Sequence, residues 1–134
     1  QATSTLLVTG HQCSQADTQD WKTLANLDAT LVFYMGMKRI REIVSGLTQN
    51  GKPKDTPVAI IQNATLINQA IFTSTLENIS TEKITLQSPS IIIIGEVVNH
   101  YTKFQECLDT LPSQMVAPIG DLGFDFWKNQ TVSA

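Results

Sequence analysis

The residues of this chain best placed to do chemistry sit where apolar runs end. Thr9-Gly10-His11 follows LLV, Tyr34-Met35-Gly36 ends TLVFYMG, Asn63-Ala64-Thr65 ends TPVAIIQNAT, and Gly95-Glu96 punctuates SPSIIIIGEVV, whose apolar part follows Ser90. Unbroken Val/Ile/Leu runs describe strands buried on both faces, as in an α/β sheet with helices on each side. In open α/β sheets the ligand crevice forms where such strands end. A packing core alone has no need of that punctuation. The chemistry expected there is binding and positioning. His11, two residues from Thr9, is either a base or a hydrogen-bonded loop histidine, and the pair by itself decides nothing.

Other signatures are missing. The sequence has no Gly-rich phosphate loop, no HExxH, no G-x-S-x-G and no carboxylate pair at informative spacing. Asp17 and Asp20, like Asp121 and Asp125, read as caps and turn residues. His11 and His100 have no metal-ligand spacing, so no metal site is expected. Cys13 and Cys107 form no CxxC. They read as two reduced thiols of a cytoplasmic protein, with one long-range disulfide as the alternative. Twelve acidic residues against nine basic ones give a net charge of −3, which argues against a phosphate-neutralising face and nucleic-acid binding. Lys38, Arg39 and Arg41, with Lys52 and Lys54, read as a solvated helix face and its loop. No apolar stretch approaches the ~20 residues that span a bilayer, so no membrane partner is expected. Three N-x-S/T triplets, at Asn63, Asn78 and Asn129, are too common a pattern to imply glycosylation.

The elements that must position the strand ends follow from periodicity. Residues 6–11 read as a short strand entering a loop, and Asp20 caps a short helix opening at Trp21. Residues 30–36 form a second strand. Residues 37–47 form an amphipathic helix with Ile40, Ile43, Val44 and Leu47 on one face. Asn50-Gly51, Pro53 and Pro57 end that helix and feed a third strand over residues 56–65. This strand–helix–strand alternation implies βαβ crossovers and partly parallel pairing. Residues 68–76 alternate as a further strand, with Ile71 and Thr73 on one face and Phe72 and Ser74 on the other. Residues 77–83 are expected to be helical, and 90–98 a buried strand. Residues 101–111 could be helical, before Pro112, Pro118, Gly120 and Gly123 break the chain. The closing stretch carries Phe124, Phe126 and Trp127, which suits a packed tail or an interface. The organisation expected is therefore an α/β domain with a mixed sheet flanked by helices over residues 1–100, and a tail over 101–134.

Taken in order, VTGH, DWKTLA, TLVFYMG, TPVAIIQNAT, TSTL and SPSIIIIGEVV resemble the C-terminal half of the tetrapyrrole (corrin/porphyrin) methylases, and within them the uroporphyrinogen-III C-methyltransferase branch. The resemblance runs over about residues 3–98. It implies an α/β domain of a two-domain homodimer, with the active site in the cleft between domains. It implies S-adenosylmethionine as methyl donor, and uroporphyrinogen III as the tetrapyrrole that is methylated to precorrin-2 on the way to siroheme and cobalamin. The YMG methionine of the family lines the cofactor pocket and is Met35 here, followed by Gly36. The small residue of the family's next strand-end loop is Ala64, and the one opening its last strand is Ser90. His11, of TGH, and Tyr34 fall on the substrate side. These positions make physical sense. A flat adenine and a sulfonium-bearing chain need apolar walls with main chain within reach, which small residues allow and a polarizable methionine complements. Methyl transfer asks mostly for in-line positioning, so no catalytic triad is expected.

The sequence also departs from the family pattern. The Gly-rich loop of the family's N-terminal domain and its basic substrate-facing region have no counterpart here. Gln69-Ala70 stands where Gln-Arg is common, and Ser74-Thr75-Leu76 where Gly-Thr-Leu is common. The expectation is a cofactor-side half that is inactive or nearly so by itself. The alternatives are a non-catalytic dimerisation or binding domain of the same fold, or a methylase of another precorrin.

Overall fold

The computed structural model describes residues 4–10 and 19–109, with backbone alone for residues 102, 104, 105 and 107–109. His11, Cys13 and the aromatic tail lie outside the described residues. Residues 1–100 form one unit of the chain and residues 101–134 another. Five strands, β1 (Thr5–Thr9), β2 (Thr30–Tyr34), β3 (Pro57–Gln62), β4 (Ala70–Thr75) and β5 (Ser90–Ile94), form one sheet in the order β1-β2-β5-β3-β4. The helices are α1 (Trp21–Asn26), α2 (Ile40–Gln49, entered through a 3-10 turn over Met37–Arg39), α3 (Leu76–Thr81) and α4 (Val97–Asp109). Among the described residues no helix is long and apolar enough to cross a membrane.

Local signals set most of these boundaries. Asp20 caps α1, its carboxylate accepting from the Thr23 amide at 3.0 Å and from the Thr23 hydroxyl. That hydroxyl is the main reason the Asp20 carboxyl is held below its ordinary value. Thr75 caps α3 in the same way, accepting from the Asn78 amide. At the far end of α2 the Asn50 side chain donates to the Gly46 carbonyl at 2.7 Å, and Gly51 turns the chain at φ 105°.

Register builds the core. The rows Leu31–Ile94–Val58 and Phe33–Ile92–Ile60 cross β2, β5 and β3 on one face of the sheet. Against them pack Leu24 and Ala25 of α1, Ile40, Ile43, Val44 and Leu47 of α2, and Leu76 and Ile79 of α3. Each fully buried aliphatic side chain contributes about 1.5–3 kcal/mol relative to exposure. Trp21 closes the α1–α2 contact. Its indole lies so near Gly46 that an added Cβ would meet Cδ2 at 2.4 Å.

The mixed sheet agrees with the pattern in the sequence, but the crossovers differ in detail. β1 and β2 pair in parallel around α1. β2 and β3, joined by α2, run in the same direction without touching, because β5 lies between them and is antiparallel to both. SIIII is the most continuous apolar run, and it takes the central position, where both edges are hydrogen-bonded and Ile92 and Ile94 are buried. Residues 90–98 do not form one strand. Gly95, at φ 144°, breaks the ladder while its N–H donates to the Pro57 carbonyl at 2.9 Å, and α4 begins at Val97. Other boundaries shift by a few residues: β3 ends at Gln62 rather than 65, β4 begins at Ala70 rather than 68, and α3 ends at Thr81 rather than 83.

Candidate functional site

Tyr34 of β2 pairs with Ile91 of β5, and Gln62 of β3 pairs with Ser90. The exits of β2 and β3 and the entrance of β5 therefore lie at the same end of the sheet. Each is made by unusual backbone. The chain leaves β2 through Met35 at φ 56°, leaves β3 through Asn63 at φ 50° and Thr65 at φ 70°, and enters β5 through a cis Ser88-Pro89 bond. Non-glycine residues in the left-handed region cost about 1–3 kcal/mol each and concentrate at functional sites. Here all three non-glycine examples among the described residues sit around one opening.

That opening is a cavity of about 570 Å³, within the usual range for small-molecule sites. Tyr34, Met35 and Lys38 line it from the β2 side, Ile61, Asn63, Ala64 and Leu66 from the β3 side, and residues 88–91 from β5. The β3 exit is held in shape by its own hydrogen bonds. Asn63 N–H donates to the Pro89 carbonyl at 3.1 Å, Leu66 N–H donates to the Asn63 carbonyl at 3.0 Å, and Gln69 N–H donates to the Leu66 carbonyl at 2.9 Å. The Gln69 side chain accepts from the Thr65 amide at 2.7 Å. On the β5 side the Ser90 hydroxyl donates to the Gln87 carbonyl. Met35 is 66% exposed, which suits an open wall more than a core methionine.

The structure brings Tyr34, Met35, Ala64 and Ser90 together around this cavity. Gly36 stands behind them. It is buried, and a Cβ on it would meet Ile43 Cδ1 and Ile92 Cδ1 at 3.0 Å. Its second neighbour is Gly10, where an added Cβ would fall 2.3 Å from Gly36 Cα. The two glycines let the β1 exit lie directly on the β2 exit, with Gly10 N–H donating to the Tyr34 carbonyl at 2.6 Å. Arg39 clamps this junction. Its Nη1 donates to the Gly10 carbonyl at 2.9 Å, while Nε donates to Glu42 at 2.8 Å and Nη2 completes a bidentate pair. Hydrogen bonding to Glu42 raises the Arg39 guanidinium above its usual value and holds the Glu42 carboxyl below its own. His11 is outside the described residues. Among the described residues no group of His, Cys, Asp and Glu could hold a metal ion.

Several lining residues were not singled out by the sequence: Lys38, Ile61, Leu66, Ser88, Pro89 and Ile91. Ile61 and Ile91 pair across β3 and β5, while Lys38, Leu66, Ser88 and Pro89 lie in the turns at these strand ends, whose meeting becomes visible only in the fold. Lys38 read as part of a solvated helix face; it is exposed, and the 3-10 turn also sets it among the residues that line the cavity.

Comparison with known proteins points the same way. A siroheme synthase of Neisseria meningitidis is 42% identical over 102 residues, covering 76% of this chain and 21% of the relative. Siroheme synthase 2 of Serratia proteamaculans is 40% identical over 116 residues, covering 87% of this chain and 25% of the relative. The chain thus spans about a fifth to a quarter of the length of the curated relatives it matches. Among solved structures, uroporphyrin-III C-methyl transferase from Thermus thermophilus, in a complex with S-adenyl homocysteine, superposes with a TM-score of 0.66 at 25% identity. That match covers 75% of this chain and 43% of the other. A cobalt precorrin-4 methyltransferase shares the fold, with a TM-score of 0.57 at 16% identity over 69% of this chain and 40% of that one. The profile of the Tetrapyrrole (Corrin/Porphyrin) Methylases matches residues 1–80. With that match over more than half its length, the chain belongs to the tetrapyrrole (corrin/porphyrin) methylase family.

Proposed function

We propose that this chain supplies the cofactor-side wall of an S-adenosylmethionine-dependent C-methyltransferase that acts on uroporphyrinogen III, on the route to precorrin-2, siroheme and cobalamin. One observation carries the reading. Three strand ends, two of them leaving through left-handed backbone at Met35 and Asn63, converge on a single cavity, and four residues singled out by motif, Tyr34, Met35, Ala64 and Ser90, line it. The likeness to a methyltransferase solved with S-adenyl homocysteine supports the choice of donor. The identity to siroheme synthases supports the tetrapyrrole.

The lining fits such a donor. Met35, Ile61, Leu66, Pro89 and Ile91 offer apolar surface for a flat base, and Ala64 and Ser90 are small enough for close approach to main chain. When bound, S-adenosylmethionine supplies an electrophilic methyl group on a sulfonium. What the residues of this chain contribute is position. Met35, at φ 56° where the β2 exit lies on Gly10, presents one wall. Tyr34, 43% exposed, stands beside it, and the family resemblance assigns Tyr34 and His11 to the substrate side. Restricting donor and acceptor to an in-line arrangement is the main source of rate in such a transfer. We place the enzyme in the cytoplasm as a homodimer, with the net charge of −3 giving no support to a nucleic-acid partner.

Isothermal titration with S-adenosylhomocysteine, paired with a methylation assay on uroporphyrinogen III, tests the reading. Saturable binding of the nucleoside supports it, and no binding at millimolar ligand refutes it.

A further inference from the structure

Lys38 is the single charged side chain among the eleven residues that line the cavity, and no carboxylate faces it there. The other cations of that stretch of sequence are committed elsewhere. Arg39 is held by Glu42 and the Gly10 carbonyl, Arg41 donates to the Ser80 carbonyl at 2.6 Å, Lys52 donates to the Leu27 carbonyl at 3.1 Å, and Lys54 lies 3.8 Å from Glu77. Lys38 has no hydrogen-bond or ion-pair partner among the described residues. It is exposed, and it projects from a turn whose backbone is pinned by Arg39 N–H donating to the Gly36 carbonyl at 2.9 Å.

A lone ammonium at an otherwise neutral, largely apolar cavity selects for an anion, and disfavours a ligand whose only charge is positive. An ammonium is a compact point charge on a flexible stem, so it suits one carboxylate oxygen better than a fixed bidentate geometry. We infer that Lys38 is the carboxylate-binding residue of the cavity, and that it sets specificity for ligands carrying a carboxylate at this end. The inference rests on the functional reading above. The carboxylate has two possible sources with the same chemistry: the amino-acid end of the methyl donor, or an acetate or propionate arm of the tetrapyrrole.

The test titrates the full chain and its Lys38→Gln and Lys38→Arg variants with three probes. These are S-adenosylhomocysteine, 5′-methylthioadenosine, which lacks the carboxylate, and uroporphyrin III. Lys38 is exposed and takes part in no described hydrogen bond, so the variants should fold as the parent does; matching circular dichroism and thermal midpoints check this. Loss of about ten-fold or more in S-adenosylhomocysteine affinity in Lys38→Gln, with methylthioadenosine unchanged and partial recovery in Lys38→Arg, assigns the donor carboxylate. The same loss for uroporphyrin III alone assigns the tetrapyrrole arm. If both ligands bind the parent and neither weakens in Lys38→Gln, the inference is overturned while the cavity reading stands. If the parent binds none of the three, both are overturned.

Discussion

Gly10→Ala is the substitution that asks most of the junction beneath the cavity. The new Cβ would fall 2.3 Å from Gly36 Cα, 2.7 Å from Gly36 N and 3.1 Å from the Met35 carbonyl carbon. All three are backbone atoms, so no side chain can swing aside. Ordinary contact begins near 3.4 Å, which leaves the methyl about 1 Å too close. Relief requires β1 to separate from the β2 exit, straining the 2.6 Å Gly10-to-Tyr34 hydrogen bond and the 2.9 Å Arg39 bond to the Gly10 carbonyl. Overpacking of this kind costs about 1–3 kcal/mol, and loosening two hydrogen bonds adds about 1 kcal/mol. The expected total of about 2–4 kcal/mol is a large share of the 5–15 kcal/mol typical of a small domain. It should lower the thermal midpoint by roughly 10 °C or more. Because the strain lands on Met35 and Gly36, S-adenosylhomocysteine affinity should fall several-fold in the fraction that remains folded. Urea unfolding followed by circular dichroism, with titration calorimetry well below the midpoint, reads both effects. A Gly10→Ala variant with parental stability and affinity would refute the tight glycine–glycine contact and its role in shaping the cavity.

Other perturbations separate the cavity from the core. Met35→Gly relieves the φ of 56° at a largely exposed position, so stability should rise by about 1 kcal/mol while the nucleoside binds more weakly; weaker folding would mean that Met35 is a core residue. Gly46→Ala should gain about 1 kcal/mol of helix propensity but displace the Trp21 indole, which lies 2.4 Å from the new Cβ. A net destabilisation of about 1–2 kcal/mol is expected in urea unfolding, and a net gain would show that Trp21 does not pack there. The carboxyls of Glu42 and Asp20 titrate below their ordinary 4.5 and 3.8 in the folded chain. A depressed carboxylate stabilises the fold above its unfolded value and loses that contribution as pH falls through the folded one. The urea midpoint should therefore drop between pH 5 and pH 3, and Glu42→Gln with Asp20→Asn should lower it at pH 7 and flatten that acid limb.

Strand identities were legible because TLVFY, PVAIIQ and SIIII are dense in β-branched and aromatic residues and are bounded by glycine, proline or asparagine. The face assignment of β4 was legible as well, since Phe72 pairs with core-facing Ile60 while Ile71 pairs with Ile61 on the other face. The motif resemblance was legible because six segments occur in one order. Pairing order was not. Nothing in residues 90–94 states that they insert between β2 and β3, a choice made by tertiary burial of the most apolar run. Lys38 was hidden for a related reason: charge on an amphipathic helix reads as solvent-facing, and although Lys38 is exposed, residues 37–39 form a 3-10 turn that also sets it beside the strand ends. Gly36 shows the reverse case. The motif marks it beside Met35, and the fold gives it a packing role under the cavity rather than a place in the lining.

The most direct measurement is amide chemical-shift mapping of the isotope-labelled chain during titration with S-adenosylhomocysteine. The account predicts saturable shifts concentrated at Met35, Ala64 and Ser90, with little change in a second groove, lined by Ser45 of α2 and Ser80 of α3. No saturable shifts, or shifts centred on that groove, would contradict it.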